Sequence, residues 1–515
     1  MKKYIRKIIL GTSMLMLITG CTDEFEKYNT NQYQIHQADP ATLAKPMIET
    51  IVNIQQNDSQ MQDQMVGQFG GYFTVSNRWA GTNFSTFNPS ADWNKNPWNT
   101  PFEKIYGNFF QIQEATNSSG HYYSFARLIR AITMLRVTDC YGPMPYSQIQ
   151  KGNFYVVYDM QEEVYKNILN DLTQAATVLF AYHKETNGHT PLGENDPVFN
   201  GDYSKWARLA NSMKLRVAMR ISNAWPEMAK EAAETAIASE AGIVEANNDN
   251  AMLACGSQNN PYHLAAVSWG DLRINANIVD YMNAYKDPRR SAFFKKSTIP
   301  GKTDQYVGMR TGDGKFNKGN IQVFSIPEIS GTNPLMVFCA AETAFLRAEG
   351  KLRGWNVGEK SAKQYYEEGI TLSMQQYQVS DSDYMNIEDA PTVSHQYDNI
   401  QKAPSTISNT VSVKWEEGDN LLTGKNFQRI ITQKWIANYP LGMEAWAEYR
   451  RTGYPELYPC IDNLSFSGVD SKRGMRRLAF PYTEAQNNKT NYTQGVTFLD
   501  GPDNEVTELK WAKKN

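Results

Sequence analysis

Several residue types capable of catalysis occur in this chain, but not at working spacings. His183 and His189 stand six apart in a polar stretch, a spacing no zinc motif uses, and none of the six His falls in an H-E-x-x-H pattern. Gly301-Lys302-Thr303 copies the end of a phosphate-cradling loop, yet Lys296 stands where its first Gly must be. Asp381-x-Asp383 begins like a calcium loop, but Asn386 and Thr392 replace the turn Gly and the bidentate Glu. No G-x-S-x-G nucleophile elbow occurs. Glu342 and Glu349 lie seven apart and share a helix face. Two carboxylates suffice for a glycosidase, but the same spacing in an Arg-rich helix describes a solvated or salt-bridged flank. Arg450-Arg451, following Trp446 and Tyr449, fits pairing at a helix end better than an anion site. No catalytic residue, metal set or cofactor motif is therefore assigned.

Recognition chemistry is better supplied. Phe69 to Asn99 carries eight aromatics in 31 residues, interleaved with Asn77, Asn83, Asn88, Asn94, Asn96 and Asn99. Sugars present apolar C–H faces and a rim of hydroxyls, so a binder needs a flat ring with groups around it that both donate and accept. On that ground Trp79, Trp93 and Trp98 are the candidate platforms, with Asn77, Arg78, Asn83 and Asp92 as polar partners. A second irregular block, Asn247 to Asn277, offers Trp269, Arg273 and Asn275. The competing role for each ring is to plug its loop onto the helices beneath.

Those loops need a scaffold, and its signals are helical. Asp39-Pro40 starts a helix toward Gln56, and Thr100-Pro101-Phe102-Glu103 is a capping box opening another. Paired segments follow at His121–Asp139 and Asp159–Phe180, then Asp202–Asn223 and Pro226–Ser239. Met336–Arg353 pairs with Gly358–Tyr377, and Arg429–Tyr439 with Leu441–Thr452. Apolar positions three and four apart, as in Trp206, Leu209, Met213 and Val217, predict packed helices. Successive pairs predict a mainly α, tetratricopeptide-like array without the tetratricopeptide consensus, interrupted by long irregular loops. Loops of that length inside a folded unit are usually functional.

The N-terminus supplies an address. A basic stretch, Met1 to Lys7, precedes a short apolar run from Ile8 to Thr19, well under the about 20 residues a membrane span needs. It ends in Leu17-Ile18-Thr19-Gly20-Cys21, a lipobox with Cys21 as the lipidated residue. The expected organisation is a lipoprotein signal peptide over 1–20, a tether over 21–38 and one helical domain over 39–515. Removing Lys2, Lys3, Arg6 and Lys7 takes the net charge from −3 to −7, and 51 basic against 54 acidic residues give no nucleic-acid footprint. Cys140, Cys255, Cys339 and Cys460 sit 115, 84 and 121 residues apart with no C-x-x-C pair. They read as small buried hydrophobes, with a disulfide left open.

Taken in order, several segments resemble one family. These are the Cys21 lipobox with Asp23-Glu24 behind it, the stretch from Arg136 to Tyr146 (RVTDCYGPMPY), and Asp202-Tyr203-Ser204-Lys205-Trp206 leading to Asn211–Arg216. Asp287-Pro288-Arg289, Ala341-Glu342, Arg347-Ala348-Glu349, Trp446–Pro455, Arg477–Tyr482 and Asn487-Asn488 complete the pattern. The chain is similar to SusD/RagB-type outer-membrane nutrient-binding lipoproteins of the Bacteroidota over nearly its whole mature length. The resemblance implies a helical scaffold of four tetratricopeptide-like pairs, no catalysis, no cofactor, and a lid role over a SusC-like TonB-dependent transporter. It implies capture of oligosaccharides at the cell surface, facing outward from the outer membrane, with oligopeptides as the alternative ligand. A lipid-anchored glycan hydrolase is the rival from another class. Ligand contacts vary within the family, so the site residues above rest on loop composition alone.

Overall fold

A computed structural model of the protein describes residues 38–54, 66–153, 155–396 and 399–513. The signal segment, Cys21 and nearly all of the tether lie outside the described residues. Pro40 opens α1 (Pro40–Ile48), where its missing N–H costs nothing, and Ala41, Ala44, Met47 and Ile48 form the buried stripe. The helix stops at Ile48, short of the expected Gln56, and turns follow through Asn53.

The paired scaffold begins with α2 (Asn96–Ala115) and α3 (Gly120–Tyr141). Helix α2 starts at Asn96 rather than at Pro101, because Pro97 takes the tolerant first-turn position and draws Trp98 into the helix. Gly142 ends α3 at φ 95°, donating its N–H to the Thr138 carbonyl. α4 (Gln161–Glu185) packs on α3, and α5 (Tyr203–Ile221) packs on α4. Asp202 caps α5 by accepting from the Ser204 and Lys205 N–H groups. α6 (Pro226–Ile237) lies on α5 through Ala229, Ala232, Ala233 and Ala236, whose small side chains let the helices approach closely.

The next pair departs from expectation at its start. Leu335–Phe338 is strand β4, antiparallel to β2 (Ala251–Leu253), and only then does α8 (Ala340–Leu352) begin. A four-residue apolar run buried throughout carries no period, so sequence alone does not separate strand from helix there. Ser361 and Gln364 form a capping box for α9 (Ala362–Gln376), which packs on α8. α10 (Lys425–Ala437) and α11 (Gly442–Thr452) close the array. The remaining ladders join β1 (Phe73–Val75) to β3 (Leu272–Ile274), just ahead of α7 (Ala276–Ala284), and β5 (Val393–His395) to β6 (Ser405–Ile407). No described helix is long and apolar enough to cross a membrane. Cys140, Cys255, Cys339 and Cys460 are buried and form no disulfide with one another.

Helices α3, α5, α8, α10 and α11 are locked by buried charge. Arg216 grips Glu342 with two hydrogen bonds of 2.7 and 2.6 Å, and Arg451 grips Glu349 with two of 2.6 and 2.7 Å. Glu448 accepts from Lys434 at 2.6 Å and from Arg451 at 2.7 Å, while Arg220 bridges Asp139 and Glu444. Glu342 and Glu349 are both 0% exposed, so they are neither a solvated flank nor an acid/base pair open to substrate. Burial alone would raise the Glu349 carboxyl, but Arg451 and Arg353 hold it down at about 2. Arg450 is used structurally too: it stacks 3.5 Å from the Trp446 ring centroid and donates to the Asp139 carbonyl at 2.7 Å. Pairing of this quality contributes modest net stability, yet removing one partner costs about 3–5 kcal/mol because the other charge is stranded.

Candidate functional site

The β1–β3 ladder brings the two irregular blocks together. Phe73 faces Ile274 and Val75 faces Leu272, so the chain leaving β1 runs beside the chain entering β3. Ser76 extends that contact, donating its N–H to the Asp271 carbonyl at 2.9 Å and its hydroxyl to the Gly270 carbonyl at 2.7 Å. Asn77 completes the join: its amide donates to the Asp271 carboxylate at 3.0 Å while its oxygen accepts from the Trp79 N–H at 3.1 Å. Lys318 pairs with the same Asp271 and donates to the Trp269 carbonyl at 3.0 Å.

Trp79 sits in this turn at φ +35°, a left-handed conformation that a bulky side chain adopts only when its surroundings enforce it. Its ring meets that of Trp93 edge to face, centroids 4.9 Å apart and planes at 89°, and both rings are half-buried. Ser90 positions Trp93 by accepting its N–H at 3.2 Å. Arg78 is exposed beside Trp79. Asp92 is exposed and accepts from Lys95 at 2.8 Å and from the Tyr482 hydroxyl at 3.3 Å, with the Lys95 ammonium 5.5 Å from the Tyr482 ring centroid. The Lys95 hydrogen bond and charge hold the Asp92 carboxyl below its ordinary range. The result is a rim of two half-open indoles, an exposed phenol, two Lys, one Arg, one exposed Asp and an amide, which suits a ligand of apolar faces edged by hydroxyls.

Four of the candidates are spent on the fold instead. Trp98 is 4% exposed and wedged among Phe102, Tyr141, Tyr158 and Phe480, at centroid distances from 5.1 to 5.8 Å. It is a plug, drawn inward by the earlier start of α2. Buried Asn83 builds its own turn, accepting from the Ser85 N–H at 2.9 Å and donating to the Asn77 carbonyl at 2.8 Å. Arg273, 3% exposed, donates to the Leu272 and Ala266 carbonyls and to Gln322, and burial lowers its pKa to about 10. Asn275, 1% exposed, caps α7 through the Asn277 N–H at 2.9 Å and donates to the Phe73 carbonyl at 3.0 Å. Trp269 stays half-buried next to the Asp271–Lys318 pair. Tyr482, 41% exposed, and Lys95 and Lys318 belong to the rim although their types and spacing did not single them out, with buried Asp271 holding Lys318 from beneath. Tyr482 closes a motif that reads as fold-building, and only the folded position shows its ring in the open.

The described residues gather no group of three or more His, Cys, Asp or Glu able to hold a metal ion. With this geometry in hand, comparison with known proteins defines the class. The model of the SusD-like family, described as Susd and RagB outer membrane lipoprotein, matches residues 23–512, and the chain belongs to that family. A SusD-like protein of Bacteroides thetaiotaomicron superposes with TM-score 0.87 at 34% identity, covering 93% of this chain and 99% of that one. A SusD homolog of Bacteroides uniformis gives 0.84 at 36%, covering 92% and 99%. A chitin-binding SusD homolog of Flavobacterium johnsoniae gives 0.86 at 32%, again covering 92% and 99%. Among curated proteins none matches significantly. The helical-pair scaffold of tetratricopeptide type is thus the SusD-like fold, and the family is one of outer-membrane lipoproteins.

Proposed function

We propose that the protein is a surface glycan-binding lipoprotein that captures oligosaccharides and passes them to a SusC-like TonB-dependent transporter, without catalysis of its own. The observation that carries the reading is the Trp79–Trp93 pair, held half-open in a strained turn with Arg78, Asn77 and the Asp92–Lys95–Tyr482 group around it. Both rings pack in part on the core and keep the rest of their surface in water, where the apolar face of a sugar can meet them. Binding of chitin by a 32%-identical relative of the same fold supports a glycan in preference to a peptide. Trp269 from the second block and Lys318, held by buried Asp271, extend the surface.

Cys21 anchors the chain by lipid in the outer membrane, and Asp23-Glu24 directs it to the outer face. Diacylglycerol plus an amide-linked acyl chain gives the two or more hydrocarbon anchors that stable attachment requires. Calorimetry against a panel of oligosaccharides and oligopeptides tests the ligand class. Saturable binding of a glycan without its breakdown supports the reading, hydrolysis of the glycan replaces it with the hydrolase, and binding of peptides alone moves it to the alternative ligand. Co-purification of a large β-barrel with tagged protein from native membranes tests the transporter; recovery only as a free monomer contradicts it.

A further inference from the structure

A polar cleft of about 320 Å³ lies between α7, the turn over residues 302–307 and β5, and it shares no residue with the Trp79–Trp93 rim. Small-ligand pockets span roughly 300–1,000 Å³, so the space stands at the small end and accommodates one sugar ring. Its floor is a connected polar group. His395 Nδ1 lies 2.9 Å from Asp280 Oδ2, and the Tyr458 hydroxyl donates to the same oxygen at 3.3 Å. His395 and Tyr458 thus hold the carboxylate from two separate chain segments, and the Arg310 guanidinium, 4.8 Å from the Tyr458 ring centroid, backs the phenol.

The rim of the cleft has unused capacity. The Lys302 ammonium, the Gln305 side-chain amide and the Tyr306 hydroxyl hydrogen-bond to no other described residue. Asn283 is fixed at the edge, donating to the Tyr306 carbonyl at 3.0 Å and accepting from Arg290 at 3.2 Å. Tyr306 is half-buried, its ring 6.2 Å from that of Phe294, which sets its orientation. Asp280 is committed to His395 and Tyr458, which leaves Lys302 as a donor at the edge of the cleft. A neutral polyol finds that donor together with an aromatic ring, an amide and hydroxyls around it. We propose that this cleft is a second subsite, separate from the aromatic rim, for a neutral sugar residue.

The inference rests on the glycan-binding reading, and the test separates the two. Neutral di- and trisaccharides drawn from the glycans of the panel are titrated calorimetrically into the whole protein, its Tyr306→Ala variant, its Lys302→Ala/Gln305→Ala variant and its Trp79→Ala/Trp93→Ala variant. The expected result is two equivalents bound by the wild type. Either cleft variant should lose one of them or weaken it about tenfold, the effect of truncating one good contact. The Trp variant should keep the cleft equivalent. Lys302 and Gln305 lie at the surface, so their variant carries the test if Tyr306→Ala fails to fold by circular dichroism. A single equivalent lost only in the Trp variant, or two equivalents untouched by both cleft variants, overturns the second subsite and leaves the glycan reading standing. No binding of any sugar by the wild type overturns both.

Discussion

At Arg451 and Glu349 both members of an ion pair are sealed from solvent, whereas at Lys95 and Asp92 the carboxylate stays 72% exposed. The two pairs use the same chemistry for opposite ends. In the interior, Arg451 has no alternative to Glu349 and Glu448, so the geometry is unique and its loss strands a charge. At the rim, water competes for each exposed group, so Lys95–Asp92 adds little to stability and remains free to exchange partners for a ligand. The aromatics divide in the same way: Trp98 and Trp446 are enclosed, and Trp79 and Trp93 are not.

Breaking the interior side of this comparison has the largest expected effect. Arg451→Met removes the cation that Glu349 and Glu448 share, leaving Arg353 and Lys434 to offset them, and should lower unfolding free energy by about 3 kcal/mol in urea titrations. Glycan affinity per folded molecule should stay unchanged. Trp98→Ala should cost a similar amount, about 3–5 kcal/mol, by emptying an aromatic cluster, and it too should leave affinity intact. If Trp98→Ala folds normally but loses the ligand, the assignment of that ring to packing is wrong.

Acid sharpens the contrast. The Glu349 carboxyl titrates at about 2 when folded, below its ordinary 4.5, so the unfolded chain binds the proton first as pH falls. The stability it contributes is complete above pH 4.5 and is lost as pH drops toward 2. Buried Asp139, pushed upward mainly by desolvation, acts in the opposite sense, so the comparison is made between wild type and Arg451→Met. The wild type should lose more stability than the variant between pH 5 and pH 3 in urea unfolding; parallel losses would mean the Glu349–Arg451 pair is not what holds the carboxyl down. Asp92→Asn should be the mildest change, leaving the urea midpoint near that of the wild type, and it should weaken glycan binding measurably by removing a charged acceptor from the rim.

Much of the scaffold was legible because helix signals are local. The 3.6-residue stripe at Trp206, Leu209, Met213 and Val217 and the Asp202 cap located α5 to within two residues at either end. Position 335 to 338 was not legible, since its partner strand lies more than 80 residues away and pairing supplies what periodicity lacks. Burial of Glu342 and Glu349 was hidden for a related reason: their cations come from α5 and α11. At the rim, composition found Trp79, Trp93 and Asn77 but did not separate them from Trp98, because depth depends on where a helix starts. Tyr482 was passed over because it arrives 390 residues after Asp92, from the far end of the chain.

The central claim is that the rim binds and the interior folds. Its most direct test is calorimetry of Trp79→Ala/Trp93→Ala against the tightest-binding glycan, paired with a thermal melt of the same sample. Loss of about 1–3 kcal/mol of binding energy at the rim, with a melting temperature near that of the wild type, is the predicted result. Wild-type affinity at that site, or a collapse in melting temperature, would contradict it.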